Sequence, residues 1–190
     1  MTPAPQAPQT VYVTFSAEIN ANTTETLIGT FSNLVNKGVK NAHLLLSTPG
    51  GTVMNGLNIY NVLRGLPLAL TSHNVGNVDS IGNAIFLAGQ KRFACPHSTF
   101  MFHGVAAGVQ AGGLSEKDLV ERLGNVQADQ KRIGLIIKER TRISEATIHT
   151  LFLEAKTKDA DFALGCGIVD EIRDVEIPAG ATVVSLVFQR

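Results

Sequence analysis

A serine and a histidine stand out in residues 76–104, GNVDSIGNAIFLAGQKRFACPHSTFMFHG, because their types and contexts fit acyl-transfer chemistry. Ser80 precedes a run of small and apolar residues, and His103 ends a second apolar run. A serine hydroxyl is a weak nucleophile at neutral pH and needs a nearby imidazole to accept its proton. The stretch therefore offers Ser80 as a candidate nucleophile and His103 as its candidate general base.

Both residues also have ordinary structural explanations. Serine is a preferred N-cap, so Ser80 could simply begin the helix predicted over 80–89, with Asp79 sharing that role. The flanking letters read V-D-S-I-G, which departs at the first glycine from the G-x-S-x-G pattern of a nucleophile elbow. A histidine that follows an apolar strand is more often packed or at the surface, and this is the alternative for His103.

A second loop, STPGG at residues 47–51, has the composition of a turn that can aim a backbone N–H at a ligand. Pro49 fixes φ and lacks a donor, while Gly50 and Gly51 permit unusual dihedrals and a close backbone approach. Such a turn can direct an N–H at a developing oxyanion. The alternative is an ordinary strand-to-helix turn, since glycine pairs commonly mark turns.

The elements that must position these loops alternate between strands and helices. Apolar or β-branched runs predict strands at 10–15, 43–47, 68–76, KRFACP, TFMFHG, 167–172 and, at the end of the chain, 181–190. Helical periodicity predicts helices at 24–38, 54–65, 80–89, 114–141 and 144–155. Ser115 with Asp118 predicts a capping box, and Ser144 predicts an N-cap. The order predicts an α/β fold of βαβ units, with an active site beyond the carboxyl ends of the strands.

Composition argues against several classes of partner. The 190 residues include 16 Lys+Arg and 16 Asp+Glu, so the chain has no basic surplus for nucleic acid or an anionic membrane. No apolar run approaches the roughly 18 residues of a membrane span. Cys95 and Cys166 lack metal-ligand spacing, and the sequence predicts a cytoplasmic protein with reduced thiols and no metal or cofactor. Residues 1–9 have no signal-peptide pattern and predict a disordered tail before one domain at 10–190.

The sequence resembles the proteolytic subunit of the Clp protease, a serine peptidase family of the ClpP/crotonase superfamily. The matching pieces, in family order, are STPGG, GLNIYNVLRGL, the stretch at 76–104 and ALGCGIVDEI. They correspond to the family's S-P-G-G turn, G-x-x-I-Y helix, nucleophile and base segments, and E-A-x-x-Y-G-L-V-D tail. The match runs from about residue 11 to about residue 173. It implies the ClpP/crotonase-like version of the α/β fold, in which the helix at 114–141 is the protruding handle helix.

The resemblance also implies an activity and its residues. Ser80 matches the family's nucleophile and His103 its general base, while Gly51 and Ile81 match the residues whose backbone N–H groups form the oxyanion hole. The implied reaction is hydrolysis of peptide bonds, in peptides or unfolded proteins, through an acyl-serine intermediate. The implied assembly is a homo-oligomeric ring.

One departure from the family concerns the third member of the triad. Ala155 stands where the family keeps an aspartate, and the neighbouring Glu154 is the predicted replacement. Asp159 and Asp161, just beyond, are the other candidate carboxylates. The base, His103, needs an acceptor on its second ring nitrogen to fix its tautomer.

Two further departures make this a divergent member. Asp79 replaces the family's usual alanine before the nucleophile, where it could disfavour the oxyanion or turn away and cap the helix. The segment that builds the family's axial loops is largely missing before residue 10, so an ATPase partner is doubtful. Two rival functions remain open: a ring that has lost catalytic power, and an acyl-CoA enzyme of the crotonase branch. The crotonase branch shares the two-donor oxyanion hole but lacks the serine–histidine pair.

Overall fold

The computed structural model describes residues 10–108 and 112–188, so the tail predicted at 1–9 lies outside the described residues. The strands are β1 Val11–Ser16, β2 Asn41–Thr48, β3 Ala69–Asp79, β4 Lys91–Ala94, β5 Thr99–Met101, β6 Thr157–Asp159, β7 Glu171–Ile172 and β8 Thr182–Ser185. The helices are α1 Ala21–Asn36, α2 Val53–Gly65, α3 Gly82–Phe86, α4 Glu116–Arg140, α5 Glu145–Glu154 and α6 Ala160–Cys166. In the described ranges no helix has the length and apolar character needed to cross a membrane.

The strands form one sheet in which all described pairings are parallel except that of β5 with β6. The order along the sheet is β6-β5-β3-β2-β1-β8, and β4 lies between β3 and β7. Strand β3 serves two neighbours, because residues 71–74 pair with β4 and residues 77–79 pair with β5. This arrangement confirms the predicted α/β fold with a mostly parallel sheet.

The core forms where the apolar runs of the central strands meet the apolar stripes of the first two helices. Leu44 and Leu46 of β2 are fully buried, as are Phe31 of α1 and Ile59 of α2. A strand covered in this way reads as a continuous apolar run, which is why HLLLS predicted a parallel strand correctly. This packing fixes the position of the central strands. One candidate loop follows β2 and the other follows β3.

Helix α4 projects from this body, as predicted for the handle helix. Its C-terminal part is anchored: Ile133 and Ile137 are buried, and the Arg140 guanidinium donates to the carbonyls of Leu87 and Gly89 at 3.1 and 2.9 Å. Its first turns carry large apolar side chains that are more than half exposed, namely Leu119, Val120 and Leu123. The predicted capping box is confirmed, since Ser115 and Asp118 hydrogen-bond each other's backbone N–H. Ser144 caps α5, also as predicted.

The structure differs from the predicted elements at several places along the chain. Strand β3 continues to Asp79, whereas the prediction ended it at residue 76. Strand β6 and helix α6 were not predicted, because three and seven residues are too short to display a period. The closing strand is only Glu171–Ile172, and β8 pairs with β1 as a further strand of the sheet.

A stacked histidine on the sheet gives folding stability a pH dependence. The ring of His43 stacks between those of Tyr12 and His73, with centroid distances of 5.1 and 5.5 Å. Burial, reinforced by the charges of His73 and Arg173, lowers the pKa of His43 to about 4. The unfolded chain takes up this proton near the ordinary pKa of 6.5, and the folded chain resists it. The free energy of unfolding should therefore fall as pH drops from about 6.5 to about 4.

We expect a His43→Phe variant, which keeps an aromatic ring in the stack, to lose part of this pH dependence. Near pH 5 wild type should take up about one more proton on unfolding than the variant does, which urea titrations at a series of pH values would measure. The lowered pKa of His73, caused first by burial, leaves a residual slope in both proteins. Identical slopes in wild type and variant would contradict the prediction.

Candidate active site

Ser80 lies at the carboxyl end of β3 in a left-handed backbone conformation. Its φ of 55° is unusual for a residue with a side chain and costs about 1–2 kcal/mol. The turn is held by the Ser80 N–H, which donates to the Met101 carbonyl at 2.8 Å. The buried Asn83 side chain donates to the carbonyls of Ser80 and Met101 at 3.0 and 2.9 Å. This strained strand-to-helix turn is the geometry of a nucleophile elbow, despite the missing glycine in the motif.

The alternative explanation of Ser80 as a helix cap does not hold. The N-cap position of α3 is Ile81, and α3 has no side-chain cap hydrogen bond. Asp79 is not a cap either, because its carboxylate accepts from the Asn77 side chain at 2.6 Å. The Ser80 hydroxyl has no hydrogen-bond partner among the described residues and faces a pocket.

The STPGG turn lies directly against Ser80. A Cβ atom on Gly50, whose φ is 88°, would stand 2.6 Å from the Ser80 Cβ, so only glycine permits this approach. Gly51, with φ 146°, forms a parallel bridge with Ile19. In that bridge the Ile19 N–H donates to the Gly50 carbonyl at 2.7 Å, and the Thr52 N–H donates to the Ile19 carbonyl at 2.8 Å.

This bridge leaves the N–H of Gly51 directed away from Ile19. In a parallel bridge the flanking residues make the hydrogen bonds, and the N–H of the central residue points to the opposite side. Neither the Gly51 N–H nor the Ile81 N–H has a hydrogen-bond acceptor within 10–108 and 112–188. Ile81 is buried, where an unpaired backbone donor is uncommon, whereas Gly51 is exposed; together the two donors beside one strained serine form an arrangement that could bind an anion.

A pocket of about 150 Å³ brings the predicted residues together. Ser80, His103 and Gly51 all line it. Its remaining lining residues are apolar: Val53, Phe102, Val105, Ala106, Ile133 and Phe152. No hydrogen bond joins Ser80 to His103 in the part of the chain that the structure describes. Such bonds are often long without a substrate and tighten when one binds.

Glu154, the predicted third triad member, makes no contact with His103 among the residues that the structure describes. The Nδ1 atom of His103 is hydrogen-bonded to the Gly104 carbonyl oxygen at 2.7 Å. The Glu154 carboxylate instead pairs with Lys158 at 3.2 Å, one helical turn along the chain. Glu154 is the last residue of α5, and Ala155 follows it as the C-cap in a left-handed conformation with a φ of 50°.

Two residues of this site were not predicted from the sequence. Asn83 ties the elbow to β5, and Gly104 accepts from the histidine. Gly50, predicted to permit a close backbone approach, packs on the nucleophile. Asn83 had a usable signal, because an amide inside the apolar run IGNAIFLAG needs buried partners. Gly104 had none, because its contribution is a backbone carbonyl that every residue type carries. Among the described residues no cluster of three His, Cys, Asp or Glu side chains could hold a metal ion.

The fold and the elbow first define a class: a crossover α/β protein whose candidate site lies at the carboxyl ends of its parallel strands. Comparison with known protein families then identifies the family within this class. The family model described as Clp protease matches residues 5–176, and the chain belongs to the Clp protease family. This confirms the resemblance seen in the sequence motifs.

A curated relative is the ATP-dependent Clp protease proteolytic subunit 1 of Streptomyces avermitilis. It is 31% identical over 131 residues, which cover 68% of this chain and 59% of the relative. The aligned region thus spans well under two thirds of the relative's length, while the family match extends through all the residues of the candidate site.

Proposed function

We propose that this protein is a serine peptidase that cleaves peptide bonds through an acyl-Ser80 intermediate. The Ser80 Oγ attacks the substrate carbonyl carbon while His103 Nε2 takes the hydroxyl proton. The resulting oxyanion accepts hydrogen bonds from the N–H groups of Gly51 and Ile81. His103 then gives its proton to the leaving amine, and the carbon–nitrogen bond breaks. Water, activated by the same histidine, hydrolyses the acyl-serine ester and restores the enzyme.

The observation that carries this proposal is the pair of unpaired N–H groups beside a strained serine. The left-handed φ of Ser80 costs free energy, whereas the positive φ of Gly51 is open to glycine at little cost. When the Ser80 Oγ attacks, the substrate carbonyl oxygen becomes the oxyanion and would accept from both donors, each typically worth about 2.7–4 kcal/mol to the transition state. A ring that had lost catalytic function would have no need of this arrangement.

The pocket beside Ser80 supports a preference for apolar residues at the position whose carbonyl is attacked. Its walls are aliphatic and aromatic, and His103 is the one ionisable side chain that lines it among the described residues. A charged substrate side chain would lose hydration there without gaining an ion pair. Discrimination among apolar residues should be broad, because one methylene is worth only about 1–3 kcal/mol.

We therefore expect hydrolysis of fluorogenic peptides that carry leucine or methionine at this position. Peptides with aspartate or lysine there should react at least about a hundredfold more slowly. The measurement is the release of the fluorophore by wild type, with Ser80→Ala as the matched control for contaminating proteases. Equal rates in the two proteins would refute the proposal, whereas equal rates across the peptides would refute only the pocket assignment.

We also propose that the chain forms a homo-oligomer through α4. Leu119, Val120 and Leu123 are 53, 65 and 58% exposed on a helix that projects from the body. A cluster of large apolar side chains on such a helix is costly in water unless a partner covers it. Membership of the Clp protease family supports a ring assembled from copies of this chain.

Sedimentation velocity at micromolar concentration should therefore show an oligomer for wild type. A Leu119→Glu/Leu123→Glu variant should shift towards a smaller species, because two carboxylates would have to be buried in the contact. Asn125→Asp/Gln127→Glu adds the same charge to exposed polar positions of α4 and serves as the control. A monomeric wild-type protein would contradict the assembly proposal.

A further inference from the structure

The second ring nitrogen of His103 is bound by the main chain. Its Nδ1 atom lies 2.7 Å from the Gly104 carbonyl oxygen. A carbonyl oxygen can only accept, so the contact requires that Nδ1 carry the proton. The lone pair then resides on Nε2, which is the tautomer that a general base needs.

We propose that the backbone carbonyl of Gly104 is the positioning group for His103 and takes the place of a triad carboxylate. The inference deepens the proposed function and rests on it, because the tautomer matters for catalysis only if His103 serves Ser80. It assigns the role to a group that is neutral and cannot titrate.

One hydrogen bond and one close approach limit the position of this carbonyl. The Gly104 N–H donates to the Phe152 carbonyl at 3.0 Å, in the last turn of α5. Carbonyls in the last turn of a helix have no acceptor role inside the helix, so this one is available to hold Gly104. A Cβ on Gly104 would lie 3.1 Å from the Gln130 Oε1 of α4, so that helix leaves little room beside residue 104. The hydrogen bond to Phe152 thus holds residue 104 at the end of α5, and through it orients the imidazole.

The candidate carboxylates are occupied elsewhere or exposed. Glu154 pairs with Lys158, and Asp159 accepts from the Phe162 N–H at 2.8 Å as the N-cap of α6. Asp161 is exposed in the first turn of that helix. None of the three contacts His103 in the ranges that the structure describes.

A neutral acceptor fixes the tautomer but stabilises the imidazolium less than a carboxylate would. Hydrogen bonds between neutral groups are roughly half as strong as those that involve an ionised partner. The chain should therefore retain general-base catalysis at a reduced rate. The loss should be smaller than the about 10⁴-fold that follows when a triad is forced into the wrong tautomer.

The first test measures the tautomer without reference to activity. Magic-angle-spinning ¹⁵N spectra of histidine-labelled protein, near pH 8, should show protonated Nδ1 and unprotonated Nε2 for His103. His103→Gln identifies the signals by their loss. Protonated Nε2 would overturn the inference, whether or not the protein hydrolyses peptides.

The second test measures the rate at which a fluorophosphonate acylates the nucleophile. Glu154→Gln, Asp159→Asn and Asp161→Asn should each leave this rate within about twofold of wild type. None of the three carboxylates is hydrogen-bonded to His103 among the described residues, so these substitutions remove no contact of the imidazole. Gly104→Pro, which removes the N–H that holds the carbonyl, should slow it at least about tenfold, the effect of losing one hydrogen bond. Gly113→Pro is the matched control, because Gly113 is exposed, does not line the pocket of Ser80 and has no atom within 4 Å of an added Cβ; it should react within about threefold of wild type.

The outcomes separate the two claims. A slow Glu154→Gln, Asp159→Asn or Asp161→Asn variant would assign the position to that carboxylate and overturn the inference. Unchanged acylation in a folded Gly104→Pro variant would overturn it as well. Absence of any acylation in wild type would reject the peptidase proposal, and the ¹⁵N spectra would still decide which group holds the imidazole.

Discussion

Replacement of His103 by alanine should slow the acylation of Ser80 at least about a thousandfold, because in the part of the chain that the structure describes no other ionisable side chain lines the pocket to take the hydroxyl proton. The expected loss is smaller than in a complete triad, since the Gly104 carbonyl gives His103 less support than a carboxylate would. Time courses of fluorophosphonate labelling, read by intact mass, would measure the rate constant.

His149→Ala is the control for this variant, because His149 is an exposed histidine on α5, outside the pocket of Ser80. It should label at the wild-type rate. Both variants should keep the wild-type melting temperature within a few degrees, so that the loss in His103→Ala is not a loss of folding. Acylation of His103→Ala within about tenfold of wild type would mean that another group acts as base.

Replacement of Gly51 by alanine should damage both the oxyanion hole and the turn that forms it. Its φ of 146° is essentially confined to glycine, and the new Cβ would overlap the Ile19 carbonyl oxygen. The bridge to Ile19 would have to open, which would move the Gly51 N–H. Acylation should fall about 10²- to 10³-fold, as for loss of one oxyanion donor. The free energy of unfolding should fall by about 1–3 kcal/mol.

Gly65→Ala at the end of α2 is the matched control, since a Cβ there meets no atom within 4 Å. It should leave both acylation and stability near the wild-type values. Urea titration and fluorophosphonate labelling of the three proteins separate the two effects. A Gly51→Ala protein that is destabilised but acylated at the wild-type rate would remove Gly51 from the oxyanion hole.

The fold was largely predictable because its determinants are local or periodic. Buried parallel strands are continuous apolar runs, as in HLLLS, and capped helices begin at residues such as Ser115 and Ser144. Pairings between strands that are far apart in the sequence have no local pattern that predicts them. The end of β3 was assigned to a loop because Gly76, Asn77 and Asp79 are turn-forming types, whereas pairing with β5 extends the strand over them.

The candidate site was predictable from the sequence only where side chains form it, and not where backbone groups do. Ser80 and His103 were predicted from their types and from the resemblance to the Clp protease family, and both line one pocket. The prediction for Glu154 assumed that an imidazole must be held by a carboxylate, and in the structure Glu154 pairs with Lys158 instead. The backbone supplies the acceptor, at Gly104, and no residue type marks a backbone acceptor in a sequence.

The nucleophilic role of Ser80 is tested most directly by the site of a covalent adduct. Wild type treated with a fluorophosphonate should gain the mass of one label per chain, and fragmentation should place that label on Ser80. Ser80→Ala, which removes only one oxygen from the turn, should fold normally and gain none. An unlabelled wild-type protein, or a label that persists in Ser80→Ala, would contradict the assignment of Ser80 as the nucleophile.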